Sequence, residues 1–226
     1  MAGKLWIAAS VWCALGSAAL GQTPEVALAI VYDTSGSMRD AVRAVAGRGA
    51  PKYVIGNRAL LAVIERLAAF RGNETKESAS KIEVGLFVFD GKSARAAVRL
   101  GMFDAVELRC WAKSFIAPDG PTPLGPAVQL AADALRDRTA ARRHVLVITD
   151  GENTAGPDPA TVIRNLNQIT AQSGGNISFH FIAFDVNANV FKAIKDLGAT
   201  VVSAADEKEL NNQLEFILEE KILLEK

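Results

Sequence analysis

Apolar residues occur along this chain in two alternating styles, short unbroken runs and longer stretches spaced three and four apart. Glu25 to Tyr32 (EVALAIVY), Ile82 to Phe89 (IEVGLFVF), His144 to Thr149 (HVLVIT) and Ile177 to Phe184 (ISFHFIAF) are nearly continuous. Such runs predict strands covered on both faces, as in a parallel sheet. Between them, Leu60, Leu61, Ile64, Leu67 and Ala68 mark one side of a helix over Ala59 to Phe70. Leu124, Ala127, Val128, Ala131 and Leu135 make a second stripe, and Val162, Ile163, Leu166 and Ile169 a third within Pro159 to Ala171. Val190 to Leu197 reads as a helix and Thr200 to Ser203 as a short strand. Asp206 and Glu209 then cap a last helix bearing Leu210, Leu214, Ile217 and Leu218.

One hairpin interrupts the alternation. Asp90-Gly91 is a turn signal, after which Ala94 to Leu100 returns as a strand alongside its predecessor. Asp104 and Glu107 have capping-box spacing and open a short helix through Trp111. Asn73 to Lys81 is polar and reads as a loop. Arg39 to Pro51 (RDAVRAVAGRGAP) is rich in Ala, Gly and Arg, lacks periodicity, and reads as an irregular excursion. The whole pattern predicts an α/β fold: a mostly parallel sheet with helices on both faces, apart from the one hairpin.

Composition changes this picture little. The 226 residues, half of them hydrophobic, suffice for one domain, which hides roughly 70% of its unfolded surface. A formal charge of zero without Lys/Arg runs gives no nucleic-acid footprint. The first 21 residues, MAGKLWIAASVWCALGSAALG, do add something. One lysine, an apolar run and a small-residue end have the layout of a secretory signal, with an uncleaved anchor as the alternative. The expected organisation is therefore a signal peptide over 1–21 and a single domain over 22–226. The mature chain is expected in the periplasm or secreted, with no transmembrane helix after cleavage. Only Cys110 would then remain, so no intrachain disulfide can form and the exported chain relies on its core.

Candidate chemistry gathers at strand ends, where open parallel sheets bind ligands. Asp33, Ser35 and Ser37 follow the first strand, Thr122 precedes a helix, and Asp150 follows HVLVIT. Each has a plain structural reading. Asp33 to Ser37 suits an Asx-turn and a helix cap, Thr122-Pro123 a cap with proline at N1, and Asp150-Gly151 a turn. Together they form a set that capping does not require: two carboxylates and three hydroxyls. Those oxygens suit a hard cation, Mg²⁺ or Mn²⁺, rather than zinc, and the repeated aspartates of a calcium loop are absent.

Asp33-Thr34-Ser35-Gly36-Ser37, GPTPLGPA and TDGEN together resemble the von Willebrand factor type A domain and its metal-ion-dependent adhesion site. The family pattern, D-x-S-x-S followed by a distant Thr and a distant Asp, falls on Asp33, Ser35, Ser37, Thr122 and Asp150. FIAFDVNANVFKAIKDLGATVVSAADEKEL also looks like the closing segment of exported bacterial members. The resemblance implies a doubly wound, mostly parallel sheet with one antiparallel edge strand, consistent with the Asp90-Gly91 hairpin. It implies that both serines bind metal directly and that Thr122 and Asp150 change between direct and water-mediated coordination. It also implies a protein partner that supplies an acidic side chain to the ion, and no catalysis. Two features depart from the family: Pro121 stands where glycine is frequent, and the Arg39 to Pro51 segment is long.

Other functions fit less well. A haloacid-dehalogenase-type phosphohydrolase would need an aspartate two residues after Asp33, where Ser35 stands. No G-x-S-x-G elbow exists, and the two histidines, His144 and His180, fall within predicted strands. Ser78-Ala79-Ser80-Lys81 matches S-x-x-K without its companion motifs. An assembly subunit with a purely stabilising metal is the remaining alternative.

Overall fold

A computed structural model describes residues 25–42, 49–72, 82–173 and 175–223. The signal-peptide reading, the Asn73 to Lys81 loop with its S-x-x-K match, and much of the Arg39 to Pro51 excursion lie outside these residues. Six strands form one sheet: β1 (Val26–Tyr32), β2 (Ile82–Asp90), β3 (Ser93–Met102), β4 (Arg142–Thr149), β5 (Ser178–Phe184) and β6 (Thr200–Ala204). Their order is β3-β2-β1-β4-β5-β6. Every pairing is parallel except β2 with β3, which turn back on each other at Asp90 and Ser93. The helices are α1 (Lys52–Gly72), α2 (Ala105–Ser114), α3 (Leu124–Arg136), α4 (Pro159–Ser173), α5 (Lys192–Lys195) and α6 (Glu207–Phe216), the last continuing as a π-helical Ile217–Leu223. This is the mostly parallel sheet expected from the hydrophobic pattern, in the doubly wound arrangement that the family resemblance implies.

The period-two geometry of a strand sends alternate side chains to opposite faces, and β1 shows why the sheet is covered twice. Val26, Leu28, Ile30 and Tyr32 join one core with α1, α2 and α6. Ala27, Ala29 and Val31 join the other with α3, α4 and α5. The second face is built from small residues on both sides, Ala27 and Ala29 against Ala127, Ala131 and Ala132, so α3 sits close over β1.

One element differs from its sequence reading. Helix α1 begins at Lys52, seven residues before the expected start at Ala59, which shortens the irregular excursion. Apolar spacing misses this first part because it packs on a polar-tipped ring. The Tyr32 hydroxyl lies 3.1 Å from the Tyr53 carbonyl oxygen and 2.9 Å from Asn57 Oδ1. A β-carbon on Gly56 would meet that hydroxyl at 2.5 Å, so only glycine admits the ring. The Asp104 cap of α2 forms as expected, accepting from the Val106 and Glu107 amides.

His144 on β4 and His180 on β5 are buried, with Nδ1 of the first 3.2 Å from Nε2 of the second. Burial, then the mutual proximity and Arg142, holds His144 well below the usual imidazole value. Burial, then Lys221, does the same for His180. Depressed folded-state values mean that the unfolded chain binds these protons more readily. The pair's contribution is therefore complete above the ordinary value of 6.5 and is lost progressively as pH falls below it. Urea denaturation at pH 7, 5.5 and 4.5 should show a falling midpoint, and a double glutamine variant should show a flatter profile. Equal slopes for the two proteins would refute the assignment.

Candidate metal centre

Strands β1 and β4 lie side by side, β1 leading outward to β2 and β4 leading outward to β5. Their common carboxyl edge is thus the switch point, where oppositely directed crossovers open a crevice. Asp33 is the first residue past β1, and its N–H donates to the Ile148 carbonyl at 3.0 Å, extending the ladder to β4. Its carboxylate is fully buried. Oδ1 accepts from the Ser35 N–H at 2.8 Å and the Ser35 hydroxyl at 2.6 Å, while Oδ2 accepts from the Thr149 hydroxyl at 2.6 Å. Ser35 Oγ lies 3.0 Å from Ser37 Oγ, and the Ser37 hydroxyl donates to Asp150 Oδ1 at 2.8 Å. An unbroken string of side-chain oxygens therefore crosses from the β1 loop to the β4 loop.

The plain readings account for only part of this. The Ser35 N–H to Asp33 bond is an Asx-turn. However, the short 3₁₀ turn Gly36–Arg39 starts after Ser35, which makes no side-chain capping bond, and the Ser37 hydroxyl points to Asp150 from within it. Thr122 is not the cap of α3 either. Pro123 holds that position, and the Gly125 N–H is met at 3.1 Å by Asn153 Oδ1.

Thr122 reaches the same crevice through its backbone. The Gly36 N–H donates to the Gly120 carbonyl at 3.0 Å, and the Asp119 N–H to that of Thr34 at 2.9 Å. On the other side, the Thr122 N–H donates to Thr154 Oγ1 at 2.8 Å, and the Thr154 N–H to the Thr122 carbonyl at 2.9 Å. Thr122 is buried, and its hydroxyl oxygen would lie 3.9 Å from a β-carbon placed on Gly151. All five residues singled out in the sequence thus share one crevice.

The electrostatics of the crevice are unbalanced. Burial first, then the Asp150 charge, pushes the Asp33 carboxyl up to about 6, although the Ser35 and Thr149 bonds pull the other way. Burial, then Asp33 and Asp150, pushes the Tyr32 phenol up, so it stays neutral. Lys52, at the start of α1, places its ammonium 3.0 Å from Asp150 Oδ2 and 3.2 Å from Asp185 Oδ2. Burial opposes that charge, but Asp150 and Asp185 more than offset it and raise the lysine's pKa. The crevice thus sets Asp33 and Asp150 against a single ammonium, which Asp150 shares with Asp185. Crowded anionic and hydroxyl oxygens with excess negative charge fit a hard cation, and the set contains no thiolate or imidazole.

Lys52 and Asp185 escape a sequence reading, as do Asn153 and Thr154. Lys52 belongs to no motif. Asp185 does carry a signal: Tyr32-Asp33, Thr149-Asp150 and Phe184-Asp185 each put aspartate directly after a buried strand. Asp185 also has a positive φ of 54°, a sparsely populated conformation for a residue with a side chain.

A von Willebrand factor type A domain model matches residues 28–152, more than half of the chain. No curated protein matches. Among solved structures, the chain is similar to the PilB minor pilin from Streptococcus sanguinis at 17% identity and a TM-score of 0.65, covering 89% of this chain and 62% of that one. It is also similar to the vWF domain of the type V pili tip protein Mfa5 from Porphyromonas gingivalis, at 12% identity and a TM-score of 0.58, covering 87% and 96%. A third is proximal thread matrix protein 1 from the mussel byssus, described with a zinc-occupied MIDAS motif. There the identity is 14% and the TM-score 0.60, covering 87% of this chain and 48% of that one. The chain thus spans under two thirds of the pilin's length, and at these identities the likeness concerns the fold. The matched segment runs from β1 through Asp150, and with the observed strand order it assigns the chain to a family: it belongs to the von Willebrand factor type A domain family.

Proposed function

We propose that this domain binds Mg²⁺ or Mn²⁺ through Asp33, Ser35, Ser37, Thr122 and Asp150, and uses the ion to capture an acidic side chain of a protein partner. The observation that carries the reading is the run of side-chain oxygens from Asp33 through Ser35 and Ser37 to Asp150, with Thr122 held beside Gly151. Bound there, the ion would supply a Lewis-acidic centre for a carboxylate oxygen. Ser35 and Ser37 present neutral oxygens and Asp33 is tied up by three donors, so of the crevice's two carboxylates only Asp150 is left to bring negative charge close to the ion. A site with few anionic contacts leaves an incoming carboxylate a strong advantage. Residues 1–21 would act as an export signal and 22–226 as one domain in the periplasm or outside the cell, where similar folds occur in pilus proteins.

A phosphohydrolase is disfavoured because the place of its second aspartate is held by Ser35, whose hydroxyl donates to Asp33 itself. Calorimetric titration of Mg²⁺ into the mature protein is the first test, with an expected dissociation constant in the micromolar to millimolar range. Pull-down from the export compartment with and without chelator is the second. A partner lost on chelation supports the reading. A partner held equally in both conditions, despite a measured metal affinity, would leave the ion a purely stabilising role.

A further inference from the structure

Asp150 is divided between two kinds of neighbour. Oδ1 accepts from the Ser37 hydroxyl inside the oxygen cluster, and Oδ2 accepts from the Lys52 ammonium. Lys52 is held at both its backbone and its ammonium. The residue opens α1 and donates its backbone N–H to the Asp40 carbonyl at 2.9 Å. Its Nζ also pairs with Asp185 at 3.2 Å, and its side chain is only 9% exposed. Asp185 is fixed in turn, because its N–H donates to the Ala204 carbonyl at 2.7 Å and its backbone has positive φ. The charge beside Asp150 is therefore built into the fold.

The geometry points to Lys52 as a tethered cation that occupies the outer oxygen of Asp150 and sets how tightly the crevice holds a divalent ion. This rests on the metal site proposed above. With Oδ2 taken by an ammonium, only Oδ1 faces the oxygen cluster, so Asp150 offers half of its carboxylate. The ammonium also repels a second cation nearby, and in a low-dielectric crevice that repulsion is weakly screened. Both effects weaken metal binding and leave a bound ion more dependent on an external carboxylate. Asp185 serves as the anchor that keeps the lysine in place.

Magnesium titration of the mature protein alongside Lys52→Met, Asp185→Asn and the Lys52→Met/Asp185→Asn double variant tests this. Lys52→Met should bind Mg²⁺ at least about tenfold tighter, since a full positive charge leaves the site. Asp185→Asn should bind more weakly, because the ammonium then leans wholly on Asp150. The double variant keeps the crevice's net charge unchanged, yet should still bind more tightly than the native protein, because Oδ2 is released. A second readout is thermal unfolding. Lys52→Met should be less stable than the native protein in chelator, where two carboxylates lose their counter-ion, and should recover most of that loss in saturating Mg²⁺. Lys52→Met binding no tighter than the native protein, or a double variant equal to it, overturns the role of Lys52 and leaves the metal site standing. Absence of Mg²⁺ binding in all four proteins overturns the metal site and the inference together.

Discussion

Asp33→Asn will bind no Mg²⁺ and yet, in chelator, will unfold at a higher temperature than the native protein. The two effects share one cause. Asp33 is fully buried, and burial together with the Asp150 charge raises its pKa from 3.8 to about 6. A two-unit rise means that holding the carboxylate ionised at pH 7 costs about 3 kcal/mol in the metal-free protein. The folded state binds the proton more tightly than the unfolded chain, so stability is full below about 4 and falls as pH rises to about 6. Asparagine removes the charge but loses an acceptor for one of the Ser35 or Thr149 donors, worth about 1 kcal/mol. The net gain should be about 1–2 kcal/mol, or several degrees in Tm, above pH 6, vanishing near pH 4. His144 and His180 act in the opposite sense over the same range, so the native-minus-variant difference isolates Asp33. Mg²⁺ should raise the Tm of the native protein and leave the variant unmoved. A variant less stable than the native protein at pH 7 in chelator would show that the buried charge carries no penalty.

Gly125→Ala should lower stability by about 2–4 kcal/mol and weaken Mg²⁺ binding at the same time. Gly125 lies in the first turn of α3, where a β-carbon would stand 1.9 Å from the Pro157 carbonyl oxygen and 2.9 Å from its carbon. Those are backbone atoms of the loop that carries Asp150, so no flexible side-chain end can yield. Relief requires α3 to lift away or the 150–158 loop to withdraw. Either movement strains the bonds tying the two loops together, namely Gly125 to Asn153 and the reciprocal pair between Thr122 and Thr154. Thr122 and Asp150 then separate. Asn153→Ala is the milder control, costing about 1 kcal/mol through the lost helix-end acceptor without the clash. Urea denaturation and calorimetry of both variants check this. Equal midpoints for Gly125→Ala and the native protein would mean that the two loops are not in contact in solution.

Strand runs such as VALAIVY and HVLVIT are legible because burial on both faces demands continuous apolar residues, and each of the two ends abruptly at an aspartate. The antiparallel β3 was legible for a different reason: a two-residue turn at Gly91-Lys92 leaves the chain nowhere to go but back along β2. The start of α1 was not legible. Its first turns present Lys52, Asn57 and Arg58 to an ion pair, a tyrosine hydroxyl and Glu207, and polar positions used in this way erase the apolar period.

The site divides along the same line. Sequence by itself determined the fold class, the family, and the five oxygen-bearing residues gathered in the crevice. The fold class depends on local periodicity and the family on motif resemblance, while the five residues stand in short loops, four of them after β1 or β4 and Thr122 just ahead of α3. Only the tertiary structure decided that Ser37 reaches Asp150, 113 positions away, and that Lys52 and Asp185 join them. Contacts between residues so far apart arise from the order in which strands pair and the direction in which helices cross, and a linear pattern does not encode which loop will face which.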